Sequence, residues 1–374
     1  MIPTWKLKRE LRRIGLQLQA GYDILTGPGR RRRYDAARPG NLTITRGQTP
    51  PRPHMVVFLL YQPRGLSASV KLAIDTVLHH PVSIVFVSNL LLQDADRDWL
   101  AGKSWRVIER PNIGYDFGGF REGVAQIAQA GLTPDRLWII NDSTWFPVCG
   151  GPAALEQVID PRADVSGSMV HHDGRDHAKD NIESYFLAFT KTAITHPAFV
   201  NFWASYPLYQ DKLTVIRQGE QRLSRVLREA GLIVDSTMTN GAFLAKLKDQ
   251  PPAFVHKTLL YAGLTKTALR DGRLALLDSA DGSTDWRDRA VAYIAQTLIY
   301  SEFRYQYCYA AVHLMGFPFV KKGPDPRSVI GRARYLEAVR AGDMPPLPDP
   351  ILQELTAAVA HDLTLDHQWR SADM

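Results

Sequence analysis

The chain has 374 residues, of which 45% are hydrophobic and 22% are charged, and its formal net charge is +7. This supply of apolar residues is sufficient for a hydrophobic core, so the composition excludes a wholly disordered protein. No apolar run approaches the roughly 20 residues that cross a bilayer, and the chain does not open on a signal-peptide pattern, so we expect neither a transmembrane nor a secreted protein.

The basic residues are concentrated at the start of the chain. Residues 1–54 contain 12 Lys and Arg against 3 Asp and Glu, whereas the remainder has a net charge of −2. A near-neutral body argues against a nucleic-acid-binding domain, whose basic surface would belong to the folded unit. The two cysteines, Cys149 and Cys308, have neither disulfide-framework nor zinc-ligand spacing, which fits a reducing cytoplasm.

The first predicted element is a short basic amphipathic helix. Apolar residues recur at helical spacing from Trp5 to Leu18 and are interleaved with Lys and Arg. Such a helix can lie on an anionic membrane surface or pack on the protein's own body, and the sequence favours neither. Residues 38–54, rich in Gly, Pro and Thr, are predicted to form a linker.

Apolar strands and helical segments alternate from residue 55 onwards. Strands are predicted at residues 55–61, 82–88, 105–109 and 137–140, and helices at 67–79 and 117–130. This alternation predicts βαβ units and a mainly parallel sheet, whose ligand sits at the carboxyl ends of the strands.

The alternation loosens after residue 140. The elements predicted there are helices at 152–158, 197–206 and 220–230, strands at 165–170 and 185–190, and a helical tail at 286–315 and 350–361. We therefore divide the chain into a basic arm with its linker (1–54), an α/β domain that binds the ligands (55–250) and a helical C-terminal extension that packs on the site (251–374).

A glycine-rich turn follows the third predicted strand. Asn112, Gly114, Asp116, Gly118 and Gly119 crowd this turn, where glycine lets a backbone approach a ligand and the next helix offers free N–H groups to a phosphate. The alternative is a tight turn in which Asp116 caps the helix. The turn matches neither the dinucleotide-binding fingerprint nor a P-loop, which disfavours nicotinamide enzymes and ATPases.

The strand at 137–140 ends directly in Asn141, Asp142 and Ser143. Oxygen atoms at this position suit Mg²⁺ or Mn²⁺ bridging to a diphosphate, and the alternative is an Asx-turn that leaves the sheet. Further along, Glu220 is predicted to open a helix. A carboxylate there suits a general base, and it equally suits the positive end of the helix dipole.

Taken in order, these segments resemble a glycosyltransferase of the GT-A type, and more closely the rhamnan synthesis protein F family. The segments that carry the resemblance are residues 111–116, 141–143, 183–187, 219–220 with the following helix, and 314–321. The resemblance covers roughly residues 55 to 325. It implies a GT-A-like α/β fold and the transfer of rhamnose or a related deoxyhexose from a nucleoside diphosphate donor, such as dTDP-rhamnose, by an inverting single displacement.

The resemblance also implies partners and a location. The acceptor would be a growing cell-surface polysaccharide, as a glycan or lipid-linked chain, at the inner face of the cell membrane, where the basic arm would meet anionic lipid. A divalent cation, Mg²⁺ or Mn²⁺, would assist the diphosphate. However, residues 141–143 hold one carboxylate where the usual motif has two, so Lys or Arg could neutralise the diphosphate instead.

By similarity, each candidate residue has a role. Glu220 would deprotonate the acceptor hydroxyl, and Asp142 would face the diphosphate and its metal. The other donor-binding candidates are Tyr61, Asn112, Gly114, Asp116, Asn141, Ser143, His313 and Lys321, with Lys322 as the alternative to Lys321. His313 is also a possible metal ligand, or else a core histidine.

Two other classes of function compete with this reading. One is a non-catalytic carbohydrate-binding or assembly subunit that keeps the fold without turnover. The other, nucleotidyl transfer, needs a glycine-rich basic loop after the first strand, which residues 62–66 match poorly. A polar cluster, His171, His172, Asp173, Asp176 and His177, is either a metal- or acceptor-binding loop or a solvated one.

Overall fold

The computed structural model describes residues 4–171 and 180–369. Its strands are β1 (Thr43–Arg46), β2 (His54–Leu60), β3 (Val82–Ser88), β4 (Arg106–Glu109), β5 (Arg136–Asn141), β6 (Thr144–Trp145), β7 (Val165–Gly167), β8 (Val170–His171), β9 (Asn181–Ile182), β10 (Phe186–Thr190), β11 (Val234–Asp235) and β12 (Val320–Lys321).

The helices surround these strands. They are α1 (Thr4–Asn41), α2 (Ala68–Leu78), α3 (Asp94–Ala101), α4 (Tyr115–Gln129), α5 (Ala154–Gln157), α6 (Lys191–Thr195), α7 (Pro197–Ser205), α8 (Lys212–Val215), α9 (Arg222–Glu229), α10 (Asn240–Lys248), α11 (Pro252–Leu260), α12 (Thr267–Asp278), α13 (Thr284–Thr297), α14 (Phe303–Gln306), α15 (Cys308–Met315), α16 (Pro326–Arg340) and α17 (Asp349–Trp369). A 3₁₀ turn (Gly151–Ala153) precedes α5, and a π-helical turn (Ile216–Gln221) joins α8 to α9.

One eight-stranded sheet organises the chain, in the order β1-β4-β3-β2-β5-β10-β7-β11. Its middle strands β4, β3, β2 and β5 run parallel, and β1 and β10 pair antiparallel on either side of them. Because β2 and β5 are parallel neighbours, their carboxyl ends lie at the same edge. The predicted α/β class with a mainly parallel sheet is confirmed.

Both faces of the sheet are buried, and β2 shows why. Val56, Phe58 and Leu60 belong to one hydrophobic cluster, while Met55, Val57 and Leu59 belong to the other, as the two-residue period of a strand requires. The first cluster packs against α2 and the C-terminal helices, and the second against α4, α7 and α9. The continuous apolar run of β2 therefore reflects burial on both sides.

The predicted boundary after residue 250 falls between α10 and α11. Phe243 on α10 and Val255 on α11 belong to the same hydrophobic cluster as Phe58 on β2. The domain limits stay a prediction, and the C-terminal region is helical as expected, with the short strand β12 as an exception.

The start of the chain differs from its prediction. Helix α1 runs for 38 residues and includes Pro28 and Pro39, where a short helix was expected. The contacts that Asp23, Arg30 and Tyr34 make with the body outweigh the helix-breaking residues, because tertiary packing routinely overrides local propensity. The predicted linker is also partly ordered, since β1 pairs with β4 at the sheet edge.

The polar cluster after β8 falls almost entirely on residues 172–179, which lie outside the described residues. In the part of the chain that the structure covers, no helix is long and apolar enough to cross a membrane.

Candidate functional site

The carboxyl ends of β2 and β5 form the centre of the candidate site. Leu59 pairs with Asn141, so the residues that follow the two strands lie side by side. The backbone N–H of Tyr61 and the side-chain amide of Gln62 both donate to Oδ2 of Asp142, at 2.8 and 2.7 Å. Asp142 therefore joins the two strand ends, and its contact with a diphosphate or a metal stays a prediction.

Asn141 arranges the groups around Asp142. Its Oδ1 accepts hydrogen bonds from the backbone N–H and the hydroxyl of Ser143, at 3.1 and 2.6 Å, which is the expected Asx-turn. Its Nδ2 donates to Oδ2 of Asp116 at 2.9 Å. The turn thus serves the site, because it links the two predicted donor-binding carboxylates.

The glycine-rich turn is shaped by its contacts with the rest of the chain. Gly114 is the N-cap of α4 with a φ of 87°, and a Cβ there would lie 2.9 Å from Cδ2 of Leu208. The prediction that Asp116 caps the helix is wrong, because its carboxylate bonds to Asn141 instead.

Helix α4 packs closely on the sheet at its glycines. A Cβ on Gly118 would collide with the carbonyl oxygen of Ile113, and one on Gly119 with Cδ1 of Leu59. The space that we expected a ligand to use at these two positions is filled by the chain's own atoms. Their role is to bring the first turn of α4, with Asp116, against the strand ends.

The two strand-end carboxylates are electrically coupled. Burial, together with the neighbouring charge of Asp142, raises the pKa of Asp116 to about 6. Burial also raises the pKa of Asp142, against the hydrogen bonds from Tyr61 and Gln62. Both groups are thus poised to interact with a cation or a hydrogen-bonding ligand.

Lys321 reaches the site from far along the chain. Strand β12 pairs with β6 so that Lys321 lies opposite Thr144. Its ammonium lies 3.4 Å from the hydroxyl of Ser143 and 4.0 Å from the centre of the Tyr185 ring. Burial lowers the pKa of Lys321, while nearby carboxylates oppose that shift. The ammonium of Lys321 is therefore within electrostatic range of the carboxylates of Asp116 and Glu220, and its contact with a diphosphate stays a prediction.

Lys322 lies on the other side of Ser143. Its backbone N–H donates to the carbonyl of Ser143 at 2.9 Å, and its ammonium is 3.2 Å from the hydroxyl of Ser69. The carboxylate of Glu354 lies 3.8 Å from the same ammonium. Both lysines are associated with carboxylates of the candidate site, since Glu220 and Asp116 act on the pKa of Lys321 and Asp142 acts on that of Lys322.

Glu220 lies in the π-helical turn between α8 and α9, not at a helix start. The helix begins at Lys212, where the carboxylate of Asp211 accepts a hydrogen bond from the N–H of Thr214 at 2.8 Å. The predicted start at Glu220 is wrong, and with it the helix-dipole explanation, which holds for the first turn alone. Single π turns inside helices are frequent at functional sites.

The surroundings of Glu220 give its carboxyl a hydrogen bond and a raised pKa. Its Oε1 accepts a hydrogen bond from the hydroxyl of Ser184 at 3.0 Å. Burial and the charge of Glu183 raise the pKa of Glu220, and Lys321 opposes the rise, so that the pKa is about 7. A carboxyl with a pKa near neutrality is suited to accept a proton.

Sequence reasoning missed four residues of this cluster: Glu183, Ser184, Tyr185 and Arg304. Glu183 forms an ion pair with the buried Arg304, whose guanidinium lies 3.6 Å from the centre of the Tyr305 ring. The first three stand in the segment 183–187, which we used as a mark of family resemblance without assigning it a role. No local pattern marked Arg304.

The side chains of three other predicted residues make no hydrogen bond to this cluster among the described residues. His313 lies on α15, where its Nε2 is 2.8 Å from the carbonyl oxygen of Asp343 and its ring is 4.5 Å from that of Tyr309. Asn112 is exposed on the turn before α4, and the side chain of Tyr61 is half exposed. We therefore leave His313 out of the donor site and out of any metal site.

The described residues contain no group of three or more His, Cys, Asp and Glu that could hold a metal ion. Asp142 and Asp116 nevertheless form a coupled pair of oxygen ligands. Such a pair fits a divalent cation that completes its shell with diphosphate oxygens and water, which is the usual way Mg²⁺ is bound.

A cavity of about 540 Å³ lies away from this cluster, between α4 and the α6–α7 segment. Its walls are mainly apolar side chains, among them Val124, Ile127, Leu137, Phe199 and Val200. Arg121, the charged side chain lining it among the described residues, is paired with both carboxylate oxygens of Asp35 at 2.7 and 2.9 Å. The cavity therefore offers no free charged group to a diphosphate.

Residues 84–264 match the rhamnan synthesis protein F family. The predicted resemblance is thereby confirmed over a range that contains Asp116, Asp142, Glu183 and Glu220. Lys321 lies beyond it. The site's carboxylates thus all belong to the matched segment, and the cations Lys321 and Arg304 do not.

Two individual proteins are also similar to this chain. An uncharacterized protein of Sinorhizobium fredii, y4gN, is 34% identical over 236 residues, which is 63% of this chain and 62% of that protein's length. A mannosyltransferase from Pyrobaculum calidifontis, solved in complex with GDP-Man and Mn²⁺, is 12% identical with a TM-score of 0.30, covering 94% of this chain and 98% of its own. The second likeness is too weak to support an inference.

Proposed function

We propose that this chain is a glycosyltransferase that moves a sugar from a nucleoside diphosphate donor onto a hydroxyl of a growing polysaccharide. One observation carries the proposal: Glu220, with a pKa of about 7, shares a cluster with Lys321 and with the coupled pair Asp116 and Asp142. The cluster combines an available base with groups that bind a diphosphate, at the sheet edge where α/β proteins bind ligands.

The reaction we propose is a single displacement with inversion. The acceptor oxygen attacks the anomeric carbon, a new carbon–oxygen bond forms, and the bond to the diphosphate oxygen breaks with its electron pair leaving on the nucleoside diphosphate. Glu220 accepts the acceptor's proton, and Ser184 holds the carboxyl through its hydroxyl. Glu220 is the one residue that we place in direct contact with the attacking hydroxyl.

Lys321 faces the charge that develops on the leaving diphosphate. Its ammonium lies beside Ser143 at the carboxyl end of β5, and it is held over the Tyr185 ring. A fixed positive charge in a partly buried cleft stabilises a leaving anion strongly, because little solvent must reorganise. If a divalent cation binds, Asp142 and Asp116 would hold it, and it would supply further neutralisation of the same anion.

The donor and the location remain parts of the proposal. The name of the matched family supports rhamnose, or a related deoxyhexose carried as a dTDP-linked donor, and a surface polysaccharide as the product. The basic residues 1–54 support an acceptor at an anionic membrane surface, facing the cytoplasm where nucleotide sugars are made. The donor-binding roles of Tyr61, Asn112, Gly114, Asn141 and Ser143 are proposed on the same basis.

A non-catalytic carbohydrate-binding subunit is the competing candidate, because a fold by itself does not establish turnover. The shifted pKa of Glu220 favours an enzyme, since a structural carboxylate gains nothing from burial without a paired cation. Nucleotidyl transfer is less favoured, because Gln62 after β2 bonds to Asp142 and no glycine-rich basic loop stands there.

Calorimetric titration with dTDP, UDP and GDP, with and without Mn²⁺, tests the donor site. We expect one nucleotide to bind the parent chain and to bind at least tenfold more weakly to Asp142→Ala and Asp116→Ala. Asp288→Ala on α13, an exposed aspartate, is the matched control and should bind normally. Equal affinity in all four proteins would remove the strand-end carboxylates from the site, and binding without sugar transfer would favour the non-catalytic subunit.

A further inference from the structure

Helix α1 has an inner face that is fixed to the body. The carboxylate of Asp23 accepts hydrogen bonds from the backbone N–H groups of Gln210 and Asp211, at 2.8 to 2.9 Å. Arg30 donates to Asp23 and to the carbonyl of Leu208. Tyr34, one turn further, is buried. These residues recur at helical spacing and define the inner face.

The opposite face of α1 is apolar and has no partner among the described residues. Ile14, Leu18, Tyr22 and Leu25 follow one another at intervals of four, four and three residues, so they share one side of the helix. Their exposed fractions are 51, 68, 70 and 82% for Ile14, Tyr22, Leu18 and Leu25. We call these four residues the outer face. Both alternatives that the sequence left open therefore concern this helix, since its inner face packs on the body and its outer face is exposed.

The charge of this segment identifies what can cover the outer face. Residues 4–33 contain nine Lys and Arg against two Asp and Glu. A second copy of the helix would bring the same positive charge against it, whereas an anionic lipid surface complements it. Arg32 and Arg33, both exposed, lie beyond the outer face along the same helix. An apolar stripe with a strongly basic remainder is typical of helices that lie in a membrane interface.

We infer that the outer face of α1 docks in the plane of an anionic phospholipid surface. The inference rests on the proposed function in one respect: an acceptor held at a membrane is the reason why the protein would bind one. The inference goes beyond the proposed function because it names the four side chains that enter the lipid and the helix face that stays on the protein.

Docking at this face orients the candidate site as well. The inner face holds the segment 208–211, in which Leu208 packs against Gly114 before Asp116, and Asp211 caps the helix that leads to Glu220. A docked α1 therefore fixes both acidic elements of the site relative to the bilayer. A lipid-linked acceptor would meet them in a constant geometry.

Vesicle co-sedimentation of the full chain tests the inference. The probes are vesicles of equal parts phosphatidylglycerol and phosphatidylcholine, with pure phosphatidylcholine for comparison. We expect the parent to bind the anionic vesicles, and Leu18→Gln/Leu25→Gln to bind about 10- to 100-fold more weakly, because each apolar side chain adds roughly tenfold when buried. Leu91→Gln/Ile299→Gln is the matched control, since both residues are 81% exposed and lie elsewhere.

A second pair of variants separates charge from apolar contact. Arg32→Gln/Arg33→Gln should weaken vesicle binding about fivefold for each residue replaced. Added salt should weaken vesicle binding by the parent more than it weakens binding by this variant. Equal vesicle binding by the parent and the Leu18/Leu25 variant overturns the inference. The inference is also overturned if the parent is a dimer in analytical centrifugation, the Leu18/Leu25 variant is a monomer and both bind vesicles equally, because the outer face would then be a contact between two copies of the chain.

Transfer to a soluble acceptor distinguishes the two proposals. The outer-face variant should retain sugar transfer in the absence of vesicles, because its changes lie outside the catalytic cluster. If transfer is absent from the parent as well, the proposed function fails while the docking result stands on its own.

Discussion

Helix α4 contributes one carboxylate to each of two charge clusters. The clusters differ in the groups that donate hydrogen bonds to that carboxylate. Glu122 accepts hydrogen bonds from the guanidinium of Arg38 and, at 3.3 Å, from the hydroxyl of Tyr34, which also accepts one from Arg110. Asp116, two turns earlier, accepts one from the neutral amide of Asn141. We call the first group the α1–α4 cluster and the group around Asp116 the strand-end cluster.

The comparison shows how burial of charge can serve two purposes. In the α1–α4 cluster, a positive charge pairs the buried carboxylate, so the cluster ties α1 to the body. In the strand-end cluster, burial raises the pKa of Asp116 to about 6 and of Glu220 to about 7. Carboxyls left in this state are expensive for a fold, and they are typical of sites that move protons or bind ligands.

The largest effect that this contrast predicts is on turnover. Glu220→Gln keeps the size of the side chain and removes its ability to accept a proton. Loss of a general base typically slows a reaction by about 10²- to 10⁴-fold, so we expect that decrease in sugar transfer with near-normal donor binding and melting temperature. Rate measurement with the donor that binds best is the test.

Ser184→Ala is the companion variant, because it removes the hydrogen bond to Glu220 and leaves the carboxyl in place. It should lower turnover far less than Glu220→Gln does. If Glu220→Gln transfers sugar at the parent rate, the base lies elsewhere, and Asp173 and Asp176, outside the described residues, are the next candidates.

The α1–α4 cluster should respond in the opposite way. Glu122→Gln removes a buried negative charge that pairs with Arg38, so we expect the free energy of unfolding to fall by about 1.5–3 kcal/mol. Turnover per folded molecule should change little. Urea unfolding and rate measurement on the same preparation check both parts, and a large loss of turnover at unchanged stability would contradict the division into two clusters.

The smallest expected effect is a pH dependence of stability. The pKa of Glu220 is raised by burial from its ordinary 4.5 to about 7, so between these values the folded state holds a proton that the unfolded state releases. Stability from this group is therefore complete below about pH 4.5 and is lost as the pH rises through about 7. One pKa unit corresponds to about 1.4 kcal/mol, so the full shift would be worth about 3 kcal/mol. Because the Glu220 side chain is partly accessible to solvent, which weakens such effects, we expect Glu220→Gln to be the more stable protein at about pH 8 by about 1 kcal/mol.

Unfolding of both proteins across this range gives the readout. At about pH 4 the difference between parent and variant should nearly vanish, since the carboxyl is then mostly neutral in both the folded and the unfolded state. A difference that is the same at both pH values would show that Glu220 has an ordinary pKa and is a less suitable base.

The sequence determined the central strands of the sheet and the position of Asp142. Apolar runs such as residues 82–88 can be read locally, because a strand buried on both faces must be continuously hydrophobic. Asp142 could be predicted because the carboxyl end of a parallel strand is a place where ligands bind, whatever the rest of the chain does. The resemblance supplied Glu220 in the same manner, as a residue type in a motif.

The tertiary structure decided how these groups act. The turn around Glu220 reads as a helix start in the sequence, yet its helix begins at Lys212, because Asp211 is held in place by contacts from α1. Lys321 joins Ser143 across 178 residues through the pairing of β12 with β6.

Arg304 meets Glu183 from still another helix, and it left no local trace in the sequence. A local pattern reports the hydrophobicity and backbone preference of its own residues. A pKa depends on burial and on charges brought from elsewhere in the chain, so the raised pKa of Glu220 can be recognised in the tertiary structure and not in the sequence.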